Sequence, residues 1–207
     1  RVGERTTSYT VTNHPITGPI VSGPHQEPFV CQTEDFELPD GSILGPPLDD
    51  DCSIEPRVDY LYVARGDSAL QPMPDSTDLP DDVAMTTTTA GATVPFVVRL
   101  ETATVNRGIY QSAILFDPTR EGAPGPLNPP AGWNRRLIAV EGFGCPGGWY
   151  VQGDAQGSLG GGDGRGGMDF RFLNTRRLGE GYALWANTLQ HPSNNCNAVL
   201  ASEAALM

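Results

Sequence analysis

Two short apolar runs, each leading into residues with chemical potential, mark the second half of this 207-residue sequence. The first, Arg135-Arg136-Leu137-Ile138-Ala139-Val140-Glu141, runs into Gly142-Phe143-Gly144-Cys145-Pro146-Gly147-Gly148-Trp149. The plain reading of this loop is a tight turn with a structural cysteine, in which Pro146 has no N–H to donate. The glycines at 142, 144 and 147 also fit G-x-G-x-x-G. A dinucleotide site, however, needs a helix directly afterwards and an acidic residue about 20 positions on. Here the sequel is Trp149-Tyr150-Val151-Gln152-Gly153 and more glycine, which counts against it. The second run, Gly181-Tyr182-Ala183-Leu184-Trp185-Ala186-Asn187-Thr188-Leu189, leads to His191. That position is just beyond a strand end, where catalytic groups gather in α/β folds. Pro192 follows, so the plainer reading is an ordinary loop histidine.

Other candidates have plainer readings too. His14 and His25 sit in a Pro-rich connector. Trp133, Trp149 and Trp185 read most simply as core or pocket-lining aromatics, with stacking of an aromatic substrate on Trp149 as the alternative. Asp154, Asp163 and Asp169 flank or interrupt a run of glycines and offer oxygen ligands for calcium, as does Asp49-Asp50-Asp51. Neither group has EF-hand spacing or a solenoid repeat, so both are read as solvated loops. No cofactor is expected, with calcium as the alternative.

Four cysteines allow three pairings. Cys31 with Cys52 and Cys145 with Cys196 is the favoured set, each pair closing a loop of the kind a disulfide stabilises by about 3–4 kcal/mol. It implies an oxidising compartment, hence a secreted or periplasmic protein. The rival is four reduced thiols in a cytosolic protein. Zinc is disfavoured, because there is no C-x-x-C and the histidines are scattered.

Composition narrows the classes. The formal charge is −12, and all 13 basic residues are arginine. An acidic surface repels phosphate backbones, so nucleic acid is not an expected partner. Without lysine there is no P-loop and no Schiff base from this chain. No run approaches the roughly 20 apolar residues of a membrane-spanning helix. The 25 glycines and 19 prolines predict many turns and long connections.

The elements that must position these residues follow from periodicity. Residues 1–23 read as the end of a β-domain and an extended connector, and 24–93 as an irregular acidic segment holding a strand at 59–64. Residues 94–207 read as an incomplete α/β domain. In it, 94–102 and 107–116 form an antiparallel hairpin. A strand at Leu137 follows, then a glycine-rich loop and a short helix over 168–178, with Arg176 and Arg177 near its C-terminal end and Gly179 or Gly181 as cap. The strand at Tyr182 comes next. Last is a helix over 196–207, with apolar residues at 199, 200, 204, 206 and 207. The predicted class is α/β. A hairpin followed by strand, helix, strand and helix is how an α/β-hydrolase sheet begins.

Several segments occur in similar order in one family. They include Asn13-His14-Pro15-Ile16-Thr17-Gly18-Pro19, Val94-Pro95-Phe96-Val97-Val98-Arg99, Arg107-Gly108-Ile109-Tyr110, Leu115-Phe116-Asp117-Pro118, Gly132-Trp133-Asn134 and Asn195-Cys196-Asn197. From Tyr9 to Met207 the chain resembles a group of secreted bacterial proteins of largely uncharacterised function, similar to tannase-like and feruloyl-esterase-like α/β-hydrolases. The resemblance implies that the loop after Leu137 lends a backbone N–H, from Gly144 or Cys145, to the oxyanion of an ester substrate. It also implies a serine nucleophile, an acid and a histidine after Met207. No G-x-S-x-G occurs in the sequence, which departs from the family pattern.

The chain therefore reads as the N-terminal portion of a secreted carboxylic ester hydrolase. Its expected partners are the C-terminal remainder or a second chain carrying the nucleophile, and a small or oligomeric ester substrate. The alternative is a non-catalytic extracellular binding or structural subunit of the same fold, whose open sheet edge calls for self-assembly or a partner.

Overall fold

The computed structural model describes Thr10, Phe29 and residues 31–140 and 172–189. Its centre is the hairpin of β5 (Val97–Val105) and β6 (Gly108–Leu115). β-branched and apolar residues alternate with polar ones along both strands, which suits a pleated surface packed on one side. Asn106 and Arg107 form the two-residue turn, with φ of 52° and 69°. Two left-handed residues give a turn whose twist matches that of the strands.

The hairpin organises a six-stranded mixed sheet of order β2-β1-β5-β6-β8-β7. β1 (Arg57–Tyr62) pairs antiparallel with β5, and the two-residue β2 (Gln71–Pro72) edges it. β8 (Ala183–Asn187) pairs antiparallel with β6, and β7 (Leu137–Ala139) runs parallel to β8. A mixed sheet with a strand–helix–strand crossover is consistent with the α/β class. The expected continuous strand at 94–102 is divided. β3 (Met85–Thr87) and β4 (Thr93–Pro95) form a separate two-stranded sheet, and the break falls at Phe96. There the Phe96 N–H turns to the Ala84 carbonyl while its own carbonyl accepts from Val63.

One face of the main sheet carries the core. Val98, Leu100, Ala113, Leu115 and Leu184 pack under Phe36 and Leu38 from the acidic loop and under Phe172 and Leu178. Each large side chain so buried contributes about 1.5–3 kcal/mol. The Cys31–Cys52 bridge forms as expected, with Cα atoms 5.6 Å apart. It closes the segment whose Glu37–Ile43 bridge seats Phe36 and Leu38.

The helix is shorter than the sequence suggests. α1 (Thr175–Gly179) starts only at Thr175 because Asn174 caps it, its side chain accepting from the Arg177 N–H at 3.0 Å. Arg176 and Arg177 sit in the last turn and pair with Glu180, and Gly181 ends the turn at φ 91°. The expected end of a β-domain and connector at 1–23 (Thr10 apart), the glycine-rich loop 142–167 and the helix at 196–207 lie outside the described residues.

Candidate active site

β7 and β8 are held as a pair at their amino ends. The Asn134 N–H donates to the Gly181 carbonyl at 2.8 Å, and its side-chain amide donates to the Glu180 carbonyl at 3.0 Å. Ala183 then donates to the Arg136 carbonyl, and the register runs Leu137 to Ala183, Ile138 to Leu184 and Ala139 to Trp185. A last bond from Val140 N–H to the Trp185 carbonyl, 2.7 Å, carries the pairing past β7. Two parallel strands in register end on the same side. The segment with Gly144, Cys145 and Trp149 therefore departs from the same edge as the one with His191. Those four residues and Cys196 lie outside the described residues, so the structure places their points of departure only. The carboxyl edge of parallel strands is where α/β sheets bind ligands.

The hairpin turn reaches the same edge, because β6 runs against β8. Thr188 fastens it: its N–H donates to the Ile109 carbonyl at 2.9 Å, and its hydroxyl accepts from the Ile109 N–H at 3.0 Å. Gly108 packs so closely on Leu189 that a Cβ there would lie 2.5 Å from the Leu189 Cγ. Polar side chains are buried around this end. They include Asn106, Arg107, Asn187 and Thr188, none of them without a partner, and Gln111, whose amide donates to the Thr102 hydroxyl at 3.0 Å. The Arg107 guanidinium lies 4.1 Å from the centre of the Phe29 ring. A buried arginine in a left-handed conformation is costly on two counts. Sequence reasoning missed Arg107 and Asn106 as components of this edge; the signal was Asn-Arg-Gly between two strongly β-prone runs.

On the far side of β6 from the core, Tyr110 donates to Glu101 at 2.8 Å, and Glu101 also pairs with Arg99 at 2.9 Å. Burial first, then the hydrogen bond to Glu101, pushes the Tyr110 phenol up to about 12. It is a neutral donor at any physiological pH. No histidine falls among the described residues, so they hold no side chain of the type that ordinarily titrates near neutrality.

A cleft of about 330 Å³ opens between α1, β7 and β8. Ile138, Val140, Phe172 and Leu184 line its apolar part, and Arg177 and Tyr182 its polar part. Val140 and Phe172, the described residues on either side of 141–171, both line this cleft. The acidic loop candidate is structural by contrast. The Asp49 carboxylate accepts from the N–H groups of Asp51 and Ser53, which fixes the turn before Cys52. Among the described residues no group of three acidic, histidine or cysteine side chains is arranged to hold a metal ion.

A family model described as a tannase-like family of unknown function (DUF6351) matches residues 1–207. The chain belongs to this tannase-like family. No curated protein and no solved structure matches it. Membership extends over the hairpin, the β7–β8 pair and both segments that leave their carboxyl edge. For the tannase-like family it suggests an esterase-type hydrolase at most.

Proposed function

We propose that this chain supplies the oxyanion-binding part of a secreted or periplasmic serine-type carboxylic ester hydrolase. The observation that carries the reading is the parallel β7–β8 pair, whose carboxyl edge launches both the glycine-rich loop and the segment holding His191. In an α/β-hydrolase, an N–H from the loop after an early strand and an N–H beside the nucleophile together hold the oxyanion. Gly144 or Cys145 is the donor in this chain. The serine, with its acid and base, comes from polypeptide beyond this sequence, which contains no G-x-S-x-G.

The mechanism on this reading is acyl transfer. The serine oxygen adds to the ester carbonyl, its proton passes to the base, and the negative oxygen is held by the 144–145 backbone. Collapse expels the alcohol, which takes that proton, and water then releases the acid from the acyl-enzyme. The Cys31–Cys52 bridge agrees with export to an oxidising compartment.

Replacing Gly144 by proline removes one candidate N–H and distorts the next. In the natural full-length protein, G144P is expected to lower kcat on aryl esters by about 10²–10³ with KM little changed, the loss of one oxyanion donor. Unchanged kcat would remove this loop from the mechanism. Absence of ester hydrolysis by the unmutated protein would favour the binding or structural subunit.

A further inference from the structure

The cleft between α1, β7 and β8 joins an apolar side to a basic end. Ile138 and Val140, both half-buried, line it on the β7 side, and the buried Phe172 and Leu184 complete the apolar part. Tyr182, just before β8, lines the other end. Its hydroxyl oxygen accepts from Arg136 Nη1 at 3.4 Å. Arg177 lines the same end from α1, its guanidinium carbon 6.0 Å from the centre of the Tyr182 ring.

This end carries surplus positive charge. Among the described residues, Glu180 is the one carboxylate that its arginines bond, and two of them share it: Arg176 Nε at 3.2 Å and Arg177 Nη1 at 2.8 Å. The hydrogen bond from Arg177, ahead of the one from Arg176, holds the Glu180 carboxyl below its ordinary range, so it stays ionised. Arg136 bonds a neutral phenol rather than an acid. Three guanidiniums thus stand with one carboxylate, in a molecule whose formal charge is −12. Donors remain to be used. Tyr182 accepts from Arg136 and keeps its own proton to give, and Arg177 spends only one nitrogen on Glu180.

We propose that this cleft binds a monocarboxylate with a short apolar body. The carboxylate sits between Arg136, Arg177 and the Tyr182 hydroxyl, and the body lies along Ile138 and Val140. Charge complementarity selects an anion, and the forked guanidinium suits a planar pair of oxygens. The apolar side adds affinity that a bare inorganic anion has no surface to use. The volume of about 330 Å³ falls at the small end for ligand sites and favours a small molecule over a polymer. The inference does not rest on the hydrolase reading. Arg136 and Tyr182 precede β7 and β8, so the basic end lies at the amino ends of the two parallel strands, away from the carboxyl edge.

Calorimetric titration of the natural full-length protein with octanoate tests it. Saturable binding is expected, with acetate and octanol each at least about tenfold weaker. Arg136→Gln and Arg177→Gln are each expected to weaken octanoate by about tenfold. Both residues are exposed, and an unchanged melting temperature verifies that each variant has folded. Octanoate carrying a diazirine in its chain locates the site: after irradiation, the label is expected within residues 136–140 or 172–184. The inference is overturned by an absence of saturable binding, by octanol or inorganic phosphate binding as tightly as octanoate, by unchanged affinity in either variant, or by label elsewhere in the chain.

Discussion

Gly181 shows how one residue fixes the strands that frame the site. It sits at φ 91°, and a Cβ there would lie 2.7 Å from the Gly132 carbonyl oxygen and 2.9 Å from the Thr88 Cβ. Gly181→Ala is expected to cost about 2–4 kcal/mol, from the left-handed penalty plus overpacking; a denaturant titration reads it, and a change under about 1 kcal/mol would contradict the packing. Tyr110 gives a pH signature. Folding raises its pKa to about 12 from an ordinary value of 10.0, so the folded state holds the proton more tightly. The stability it contributes is complete below about pH 10 and is lost as pH rises through about 12. Ultraviolet phenolate titration should find a late-ionising component that disappears in Tyr110→Phe and titrates earlier in Glu101→Gln. The left-handed turn at Arg107 was signalled by Asn-Arg-Gly between two β-prone runs, but its burial follows from packing at the sheet's edge, which no local pattern encodes.

Among the elements, the hairpin and the strands at 59–64, 137 and 182 were legible because their β-branched and apolar runs are strong and bounded by turn residues. β2 and β3 were not. Two and three residues of pairing carry no periodicity, and they form because neighbouring backbone is already in place. The division at Phe96 has the same origin: the run of apolar residues is continuous, but the partners on its two sides belong to different sheets. The acidic segment at 24–93 reads as irregular apart from its strand, yet Phe36 and Leu38 within it are core residues. Removing the disulfide in Cys31→Ser/Cys52→Ser is expected to cost about 3 kcal/mol. Phe36→Ala is expected to cost about 3–5 kcal/mol. The two losses should combine less than additively, since both loosen one segment. Full additivity in a double-mutant cycle would mean that the bridge does not hold Phe36 in place.

Across the whole molecule, the sequence located the segments expected to do chemistry, and the sheet adds that two of them depart from one edge. What the sequence could not show is that β8 inserts between β6 and β7, since strand order is a long-range property that depends on register and crossover hand. That insertion sets the hairpin turn and Thr188 beside the exit toward His191. The family match agrees with an esterase-type hydrolase at most. The most direct measurement is to treat the natural full-length protein with a fluorophosphonate and map the adduct by mass spectrometry. One phosphonylated serine within a Gly-x-Ser-x-Gly segment, with parallel loss of ester hydrolysis, is the predicted result. An unlabelled protein that hydrolyses no ester would contradict the account.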